Sequence, residues 1–259
     1  MHELMVRQPG ERPAQQAAGL WFGSVADRYE RYRLGYPSEL LTAVRLYAGT
    51  PIRTALEVGA GTGKATRLFA AGGTEVTALE PDAEMAAVLA RTTRGLSVEP
   101  LATRFETFRT ARRFDLLFAG AAWHWTDPRT RWCRAVELLA PGGVLALFGH
   151  PTELKDPGLH AAVEDIEGRL LPQENRVAGH PWSTEDLAGV EGLTDVEDQR
   201  LPGAQTIPSA DFIARLTTVS AYLRLEPEHR TEVLRQVRAV LPDRVDIDTT
   251  VNLTLGRRG

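Results

Sequence analysis

Between Thr54 and Gly149 the chain alternates short apolar runs with stretches whose apolar residues recur every three or four positions. The runs at 54–58, 75–80, 96–100, 114–119 and 143–149 read as strands. The stretches at 64–71, 82–91 and 130–139 read as helices, separated from the strands by Gly72-Gly73 and by Pro141-Gly142-Gly143. Upstream, 38–47 carries apolar groups at helical spacing with Ser38 placed as its N-cap. Strand–helix alternation of this kind predicts a parallel sheet with helices on both faces, because parallel strands need crossover connections.

The rhythm changes after His150. Residues 151–190 are rich in Pro, Gly and His, with one helical stretch at 159–171 stopped by Pro172. A strand is expected near 196–201. The stretch 231–241 puts Val233, Leu234, Val237, Val240 and Leu241 on one helix face. The last alternating run, 249–255, reads as an edge-type strand. The division predicted is a flexible arm at 1–20, an α/β core with N-terminal lid helices at 21–150, a cap insertion at 151–193, and the last sheet strands with inserted helices at 194–259. No internal repeat is visible.

Composition narrows the function. In 259 residues the net charge is only −4, and the arginines are interspersed with Asp and Glu, a solvated mixed surface that speaks against nucleic acid as partner. The one cysteine, Cys133, excludes an intrachain disulfide and a multi-cysteine metal site. His150, His160 and His180 lack metal-ligand spacing, so no metal is expected. No apolar run approaches the roughly 18 residues of a membrane helix, and the polar N-terminus has no signal-peptide core. A cytoplasmic protein without membrane contact, monomeric or a homodimer, is the expectation.

The segment richest in chemistry is Ala55-Leu56-Glu57-Val58-Gly59-Ala60-Gly61-Thr62-Gly63-Lys64. A strand enters three alternate glycines and leaves as a helix. Glycine there admits positive φ and lets a ligand come close to the backbone. About 20 residues on, Glu80 ends the next strand, where a carboxylate accepts hydrogen bonds from the ribose hydroxyls of a nucleoside. A dinucleotide fingerprint fails in both registers, since its last glycine falls on Lys64 or Thr66. A phosphate-binding P-loop fails because Gly63-Lys64 is followed by Ala65. Glu57 at the strand end repels a pyrophosphate and suits a cationic aminoacyl group. Apart from a glycine turn with no ligand, the loop favours an adenosyl sulfonium.

Glu57-Val58-Gly59-Ala60-Gly61-Thr62-Gly63 resembles motif I of the class I S-adenosylmethionine (SAM)-dependent methyltransferases, and Leu79-Glu80-Pro81-Asp82 resembles their acidic strand end. Phe114-Asp115-Leu116-Leu117 followed by Trp123-His124-Trp125 resembles the fourth strand of the methyltransferase type 11 or trans-aconitate methyltransferase-like subgroup. Leu139-Ala140-Pro141-Gly142-Gly143 resembles the entry to its fifth strand. The lead-in from Tyr29 to Tyr36-Pro37 is similar too, with Arg33-Leu34 where the subgroup has Arg-Pro. The resemblance runs from about Trp21 to the late segments Thr217-Thr218-Val219-Ser220 and Leu225-Glu226-Pro227-Glu228.

It implies a Rossmann-like, seven-stranded, mostly parallel, doubly wound sheet, with a small helical cap from insertions after strands five and six. It also implies SAM as cofactor, with S-adenosylhomocysteine (SAH) as product. Glu57, Gly59, Ala60, Gly61 and Gly63 would face the methionine and ribose portion. Glu80 and Pro81 would hold the ribose, Met85, Arg104 and Phe105 the adenine, and Ala119 would lie beneath the sulfonium. The segment holding Tyr29, Tyr32 and Tyr36 would cover the pocket as a lid.

Methyl transfer asks the protein mainly to position a nucleophile and exclude water. A base is needed only where the nucleophile must lose a proton near neutral pH. His124, just beyond the fourth strand, is the candidate base, with packing against a backbone carbonyl as its alternative use. Tyr29, Tyr36, Trp123, His124, Trp182 and Tyr222 are the candidate acceptor contacts, and His150 and His180 lie near them. The sequence thus points to an enzyme methylating an O, N or C atom of a small metabolite, with bacterial secondary metabolism as a setting. A SAM-binding protein or cyclase of the same fold is the alternative. Nucleic-acid methylation is disfavoured, since Ala121-Ala122-Trp123-His124 stands where amino-methylating enzymes carry an Asn/Asp-Pro-Pro-aromatic motif.

Overall fold

The computed structural model describes residues 22–151, 153–173 and 184–259. Seven strands form one sheet: β1 (Thr54–Val58), β2 (Glu75–Leu79), β3 (Val98–Leu101), β4 (Phe114–Gly120), β5 (Leu139–Gly149), β6 (Leu193–Leu201) and β9 (Val251–Arg258). Their order is β3-β2-β1-β4-β5-β9-β6. The first five are parallel, whereas β9 runs antiparallel to both β5 and β6. This is the Rossmann-like α/β sheet that the strand–helix alternation and the resemblance predicted. The chain reverses sheet direction between β3 and β4, so the carboxyl ends of β1 and β4 flank the crevice where such sheets hold ligands.

Each face of the sheet buries its own core. Ala55, Leu116, Phe118 and Phe148 point to the face covered by α2 (Ser38–Ala48) and α3 (Lys64–Ala71), which contribute Leu40, Val44 and Phe69. Leu56, Leu117, Leu145 and Leu147 point to the other face, with Leu138 of α5 (Arg131–Leu138) and Leu187 of α7 (Thr184–Ala188). Alternate residues therefore bury on opposite sides, so the strands read as continuous apolar runs. Each fully buried Leu or Phe contributes about 1.5–3 kcal/mol. The remaining crossover helix, α4 (Ala83–Thr92), is capped by Asp82, whose Oδ1 accepts from the Glu84 and Met85 amides at 3.0 Å each.

Four local expectations are corrected. Ser38 is the first residue of α2 and not its cap; Pro37 precedes it in extended backbone, without a side-chain cap. Pro141-Gly142-Gly143 does not precede β5 but lies inside it, because β5 pairs from Leu139 onward across an irregularity between Phe114 and Leu116. A Cβ at Gly143 would stand 2.8 Å from the Ala140 carbonyl oxygen and 2.9 Å from that of Phe114, and this close approach is what the glycine permits. β9 is interior, not an edge, because β6 pairs along its far side. Its polar alternation reflects a partner rather than solvent: Thr254 Oγ1 donates to Asp198 Oδ1 of β6 at 2.6 Å. Finally, a second sheet appears, β7 (Ala204–Pro208) antiparallel to β8 (Arg244–Asp248), which the sequence pattern did not disclose.

The segments after β5 and β6 share a third core. α6 (Pro157–Leu170), β7, α8 (Ser209–Leu216), α9 (Ser220–Leu223), α10 (Pro227–Val240) and β8 bury Val163, Ile166, Phe212, Tyr222, Val233 and Ile247 together. α1 (Ala26–Tyr32) joins this cap to the sheet. On the sheet side, Glu30 of α1 pairs with Lys64 at 3.4 Å and with Arg67 at 2.9 Å, and the Lys64 ammonium donates to the Glu30 carbonyl at 2.7 Å. On the cap side, Arg33 donates to Thr218. No helix among the described residues is long and apolar enough to cross a membrane.

Candidate active site

A cavity of about 370 Å³ opens at the carboxyl ends of β1, β2 and β4. One side is built from the glycine loop and the end of β2. Gly59 (φ +69°) and Gly61 (φ +57°) line it, both in the left-handed region. At Gly59 a Cβ would also sit 2.5 Å from the Ala122 side chain, so this position needs glycine twice over. Gly63 (φ +90°) does not line the cavity; its Cβ would meet Leu89 and Thr92 of α4, so it serves close helix packing. Ala60 is also set back, its amide donating to the Leu79 carbonyl at 2.9 Å and tying the loop to β2.

Glu80 is the acidic centre of this side, 6% exposed. Its Oε2 accepts from the Gly61 amide at 2.8 Å and its Oε1 from the Asp82 amide at 2.9 Å. Each carboxylate oxygen has two acceptor sites, so the pair retains capacity for two further donors. Burial pushes the group up to about 7, against the pull of those two amides. Pro81, Met85, Arg104 and Phe105 line the cavity beside it, with Thr103 and Glu106.

Glu57 is the first correction among the predicted contacts. It is 1% exposed and faces α3 rather than the cavity, accepting from Thr66 Oγ1 at 2.5 Å. Burial raises it to about 8, against the hydrogen bond from Thr66. Ala119 is likewise inside the sheet core, and the residues reaching the cavity are the next three, Gly120, Ala121 and Ala122. Ala121 has φ +53°, a left-handed conformation uncommon for a residue other than glycine.

Beyond β4, Trp123-His124-Trp125 forms one turn of 3₁₀ helix, which separates the three side chains. Trp123 is fully buried between Phe105 and Trp132, away from the cavity, in contrast to its predicted acceptor role. His124 and Trp125 line the cavity with their rings 4.4 Å apart. His124 Nδ1 is buried without a hydrogen-bond partner among the described residues. Burial, then the nearby Arg131 charge, lowers its pKa to about 4, so the ring is neutral at physiological pH.

The remaining wall comes from distant segments: Phe22, Tyr29 and Arg33 at the N-terminal side, Pro151 after β5, and Val219 and Ser220 of the cap. Phe22 packs edge-on against Tyr29 and Trp125, and the amide of Gly23 donates to Asp82 Oδ2 at 3.1 Å. Two predicted acceptor residues lie elsewhere. Tyr36 is inserted beneath Gly120, edge-on to Phe148, since a small strand-end residue leaves room there. Tyr222 is in the cap core and donates to Glu167 Oε1 at 2.5 Å. His150 lies tilted against Tyr36, with ring centres 5.3 Å apart, behind the wall. Trp182 and His180 fall outside the described residues.

Residues 56–147 match the model of a methyltransferase domain family. Across 224 residues the chain is 37% identical to uncharacterized methyltransferases of Mycobacterium tuberculosis and Mycobacterium bovis, covering 86% of each partner. Among solved structures it is similar to a proposed type II methyltransferase from Anaeromyxobacter dehalogenans (TM-score 0.64, 24% identity, 88% of this chain and 97% of that one). It is also similar to Haemonchus contortus phosphoethanolamine N-methyltransferase 2, solved with phosphomonomethylethanolamine and SAH (TM-score 0.56, 13% identity, 98% of this chain and 61% of that one). Those two likenesses speak for the fold, while the sequence match to the mycobacterial proteins carries the assignment. With its five parallel strands and antiparallel β9, its glycine loop and its matched domain, the chain belongs to the class I SAM-dependent methyltransferases.

Proposed function

We propose that the cavity binds SAM with its ribose hydroxyls on Glu80, and that a small-molecule O, N or C nucleophile receives the methyl group from the cap side. The observation that carries this reading is Glu80 itself. It is a nearly buried carboxylate, fixed at both oxygens by backbone amides and still open to the cavity beside two positive-φ glycines. Met85 and Phe105 supply an apolar slot for a purine, and Gly59 and Gly61 let the ligand approach the backbone.

When bound, SAM supplies a methyl carbon activated by positive sulfur; the acceptor's lone pair forms the new bond as the S–C pair returns to sulfur, leaving SAH. The protein's share is positioning and water exclusion. Phe22, Tyr29 and Trp125 close the cavity with aromatic edges. His124, whose ring lines the cavity, is the group we assign to take a proton from a hydroxyl or amine acceptor. The cavity's volume lies within the range of small-molecule sites.

The test is calorimetric titration with SAM, SAH and NAD of the wild type and of Glu80→Ala. Binding of both adenosyl ligands, weakened at least about a hundredfold in the variant as expected for a lost pair of charged hydrogen bonds, and no binding of NAD, supports the reading. A folded protein that ignores both adenosyl ligands ends it. Tight SAM binding with no methyl transfer to any of a broad metabolite panel would favour a binding protein or cyclase of the same fold.

A further inference from the structure

The segment from Phe22 to Arg33 is fastened at its two ends in different ways. At the far end, Glu30 of α1 pairs with Lys64 and Arg67 of α3, and Arg33 donates to Thr218 of the cap. At the near end, the turn Gly23–Val25 is tied down by the Gly23 amide, which donates to Asp82 Oδ2 at 3.1 Å in a buried bond. Asp27 adds an ion pair with Arg91, but both side chains are exposed and such pairs hold little. Phe22 and Tyr29 pack on the cluster of Ala26, Met85 and Val88, and Phe22 also meets Trp125 edge-on. Phe22, Tyr29, Met85 and Trp125 all line the cavity, so these contacts cover it beside Glu80.

Asp82 joins that cover to the strand end beneath it. The residue is 6% exposed, and every polar group it owns on this side is engaged. Its amide donates to Glu80 Oε1 at 2.9 Å, its Oδ1 accepts from the Glu84 and Met85 amides, and its Oδ2 accepts from Gly23. Three amides hold the carboxylate in place. A Cβ on Gly23 would stand 2.6 Å from Oδ1 and 2.7 Å from Oδ2. Gly23 is not in the left-handed region, so its approach to Asp82, not its conformation, is what calls for glycine. The missing side chain is what lets the cover settle.

Building on the methyltransferase reading, we infer that Asp82 is a positioning residue that latches the aromatic cover over the bound donor, and that parting of the Gly23 amide from Asp82 governs how fast SAH leaves. A ligand on Glu80 beside Met85 lies behind Phe22 and Tyr29. With the far end of the segment held on α3 and the cap, those rings lift away when the near end is freed. The bond that frees it is an N–H on a carboxylate, stronger than a neutral hydrogen bond.

The experiment is stopped-flow binding and displacement of SAH, followed by tryptophan fluorescence, with Asp82→Asn and Gly23→Ala. Asn keeps an oxygen to cap α4 and puts an NH2 group, which cannot accept, opposite Gly23. Gly23→Ala pushes the cover off and leaves Asp82 and its cap intact. Each variant should release SAH at least about tenfold faster, as expected for a lost charged hydrogen bond, with association unchanged or faster, because a looser gate admits as well as releases. The double variant should be no faster than the faster single one, since both open the same latch. Either single variant releasing SAH at the wild-type rate overturns the inference, as do slowed association or effects that multiply in the double variant; Asp82 would then only shape the donor site. If Asp82→Asn does not fold, Gly23→Ala decides alone. Failure of SAH to bind the wild type removes the methyltransferase reading, whereas binding with release indifferent to the latch removes this inference and leaves that reading standing.

Discussion

The two walls of the cavity are made in different ways. The Glu80 wall comes from one continuous stretch between Gly59 and Met85, and most of its geometry is backbone: two glycines at positive φ, a strand end, a helix cap. The wall that holds Arg33 is assembled from α1, the turn after β4, the start of the β5 insertion and the cap helices, and it works through side chains. A donor shared by many enzymes can be held by backbone geometry that sequence distance cannot disturb. In the proposed function the acceptor is selected by groups free to vary, and the cap and α1 line the cavity with such groups without altering the sheet.

The sharpest way to break this contrast is to compare two glycines of the same loop. Gly59→Val adds a branched side chain at φ +69°, on a line that meets Ala122 at 2.5 Å. SAH binding should be abolished in calorimetry while circular dichroism still shows a folded sheet. Gly63→Ala places its methyl among Leu89, Thr92 and Thr93 at φ +90°. It should instead lower stability by about 1–3 kcal/mol, the usual cost of a strained non-glycine residue, with a drop of a few degrees in melting temperature and SAH affinity little changed. The reverse pattern would mean that the loop does not meet the ligand where the cavity places it.

Next in size is the histidine in the turn after β4. His124→Ala should lower kcat by about 10²–10⁴-fold, the range for loss of a general base, and leave the SAH dissociation constant unchanged. Because the ring is neutral above about pH 4, kcat should show no loss of activity from this group between pH 6 and 8. A His124→Ala enzyme of full kcat would assign the proton to solvent and leave His124 a packing role.

How much of this was readable in advance follows from the same contrast. β1 and α3 were placed to the residue, because apolar runs and glycine breaks coincide there. Gly59, Gly61 and Glu80, legible from the strand–glycine–helix pattern, and Pro81, Met85, Arg104 and Phe105, implied by the resemblance, all line the cavity. Glu57 and Ala119 were misplaced by the strand's two-residue period, which puts adjacent side chains on opposite faces. Trp123 was named as a contact where Trp125 is the ring that lines the cavity, because the spacing of a short 3₁₀ turn does not say which ring turns inward. Phe22 and Pro151 carry no local signal, and the segment of Ser220 was marked only by resemblance; the folding of the cap and the N-terminal segment brings them to one cavity. β7 and β8 escaped notice because each alone offers few apolar positions, and they make sense only as a pair.

The smallest effect separates the two strand-end acids. Glu80 sits near pKa 7 in the free protein, and ribose hydroxyls donate to its charged form, so binding favours loss of the proton. SAH affinity should therefore rise with pH and level off above about 7; at pH 5.5 the cost of ionising the group corresponds to about thirtyfold weaker binding than on the plateau. Glu80→Gln should bind more weakly with a flattened profile. Glu57 does not touch the cavity, and its effect belongs to stability. Its folded value of about 8 exceeds its ordinary 4.5, so the folded protein holds the proton more tightly than the unfolded chain. Stability contributed by this group is full below pH 4.5 and is lost progressively as pH rises to about 8. Glu57→Gln, which keeps a carbonyl to accept from Thr66, should remove that slope in thermal melts, with a gain at pH 8 of at most a few kcal/mol, and leave the pH profile of SAH affinity as in the wild type. If Glu57→Gln changed the affinity profile instead, the acid at the end of β1 would reach the ligand through the glycine loop, and the division between a donor-holding acid and a fold-holding acid would fail.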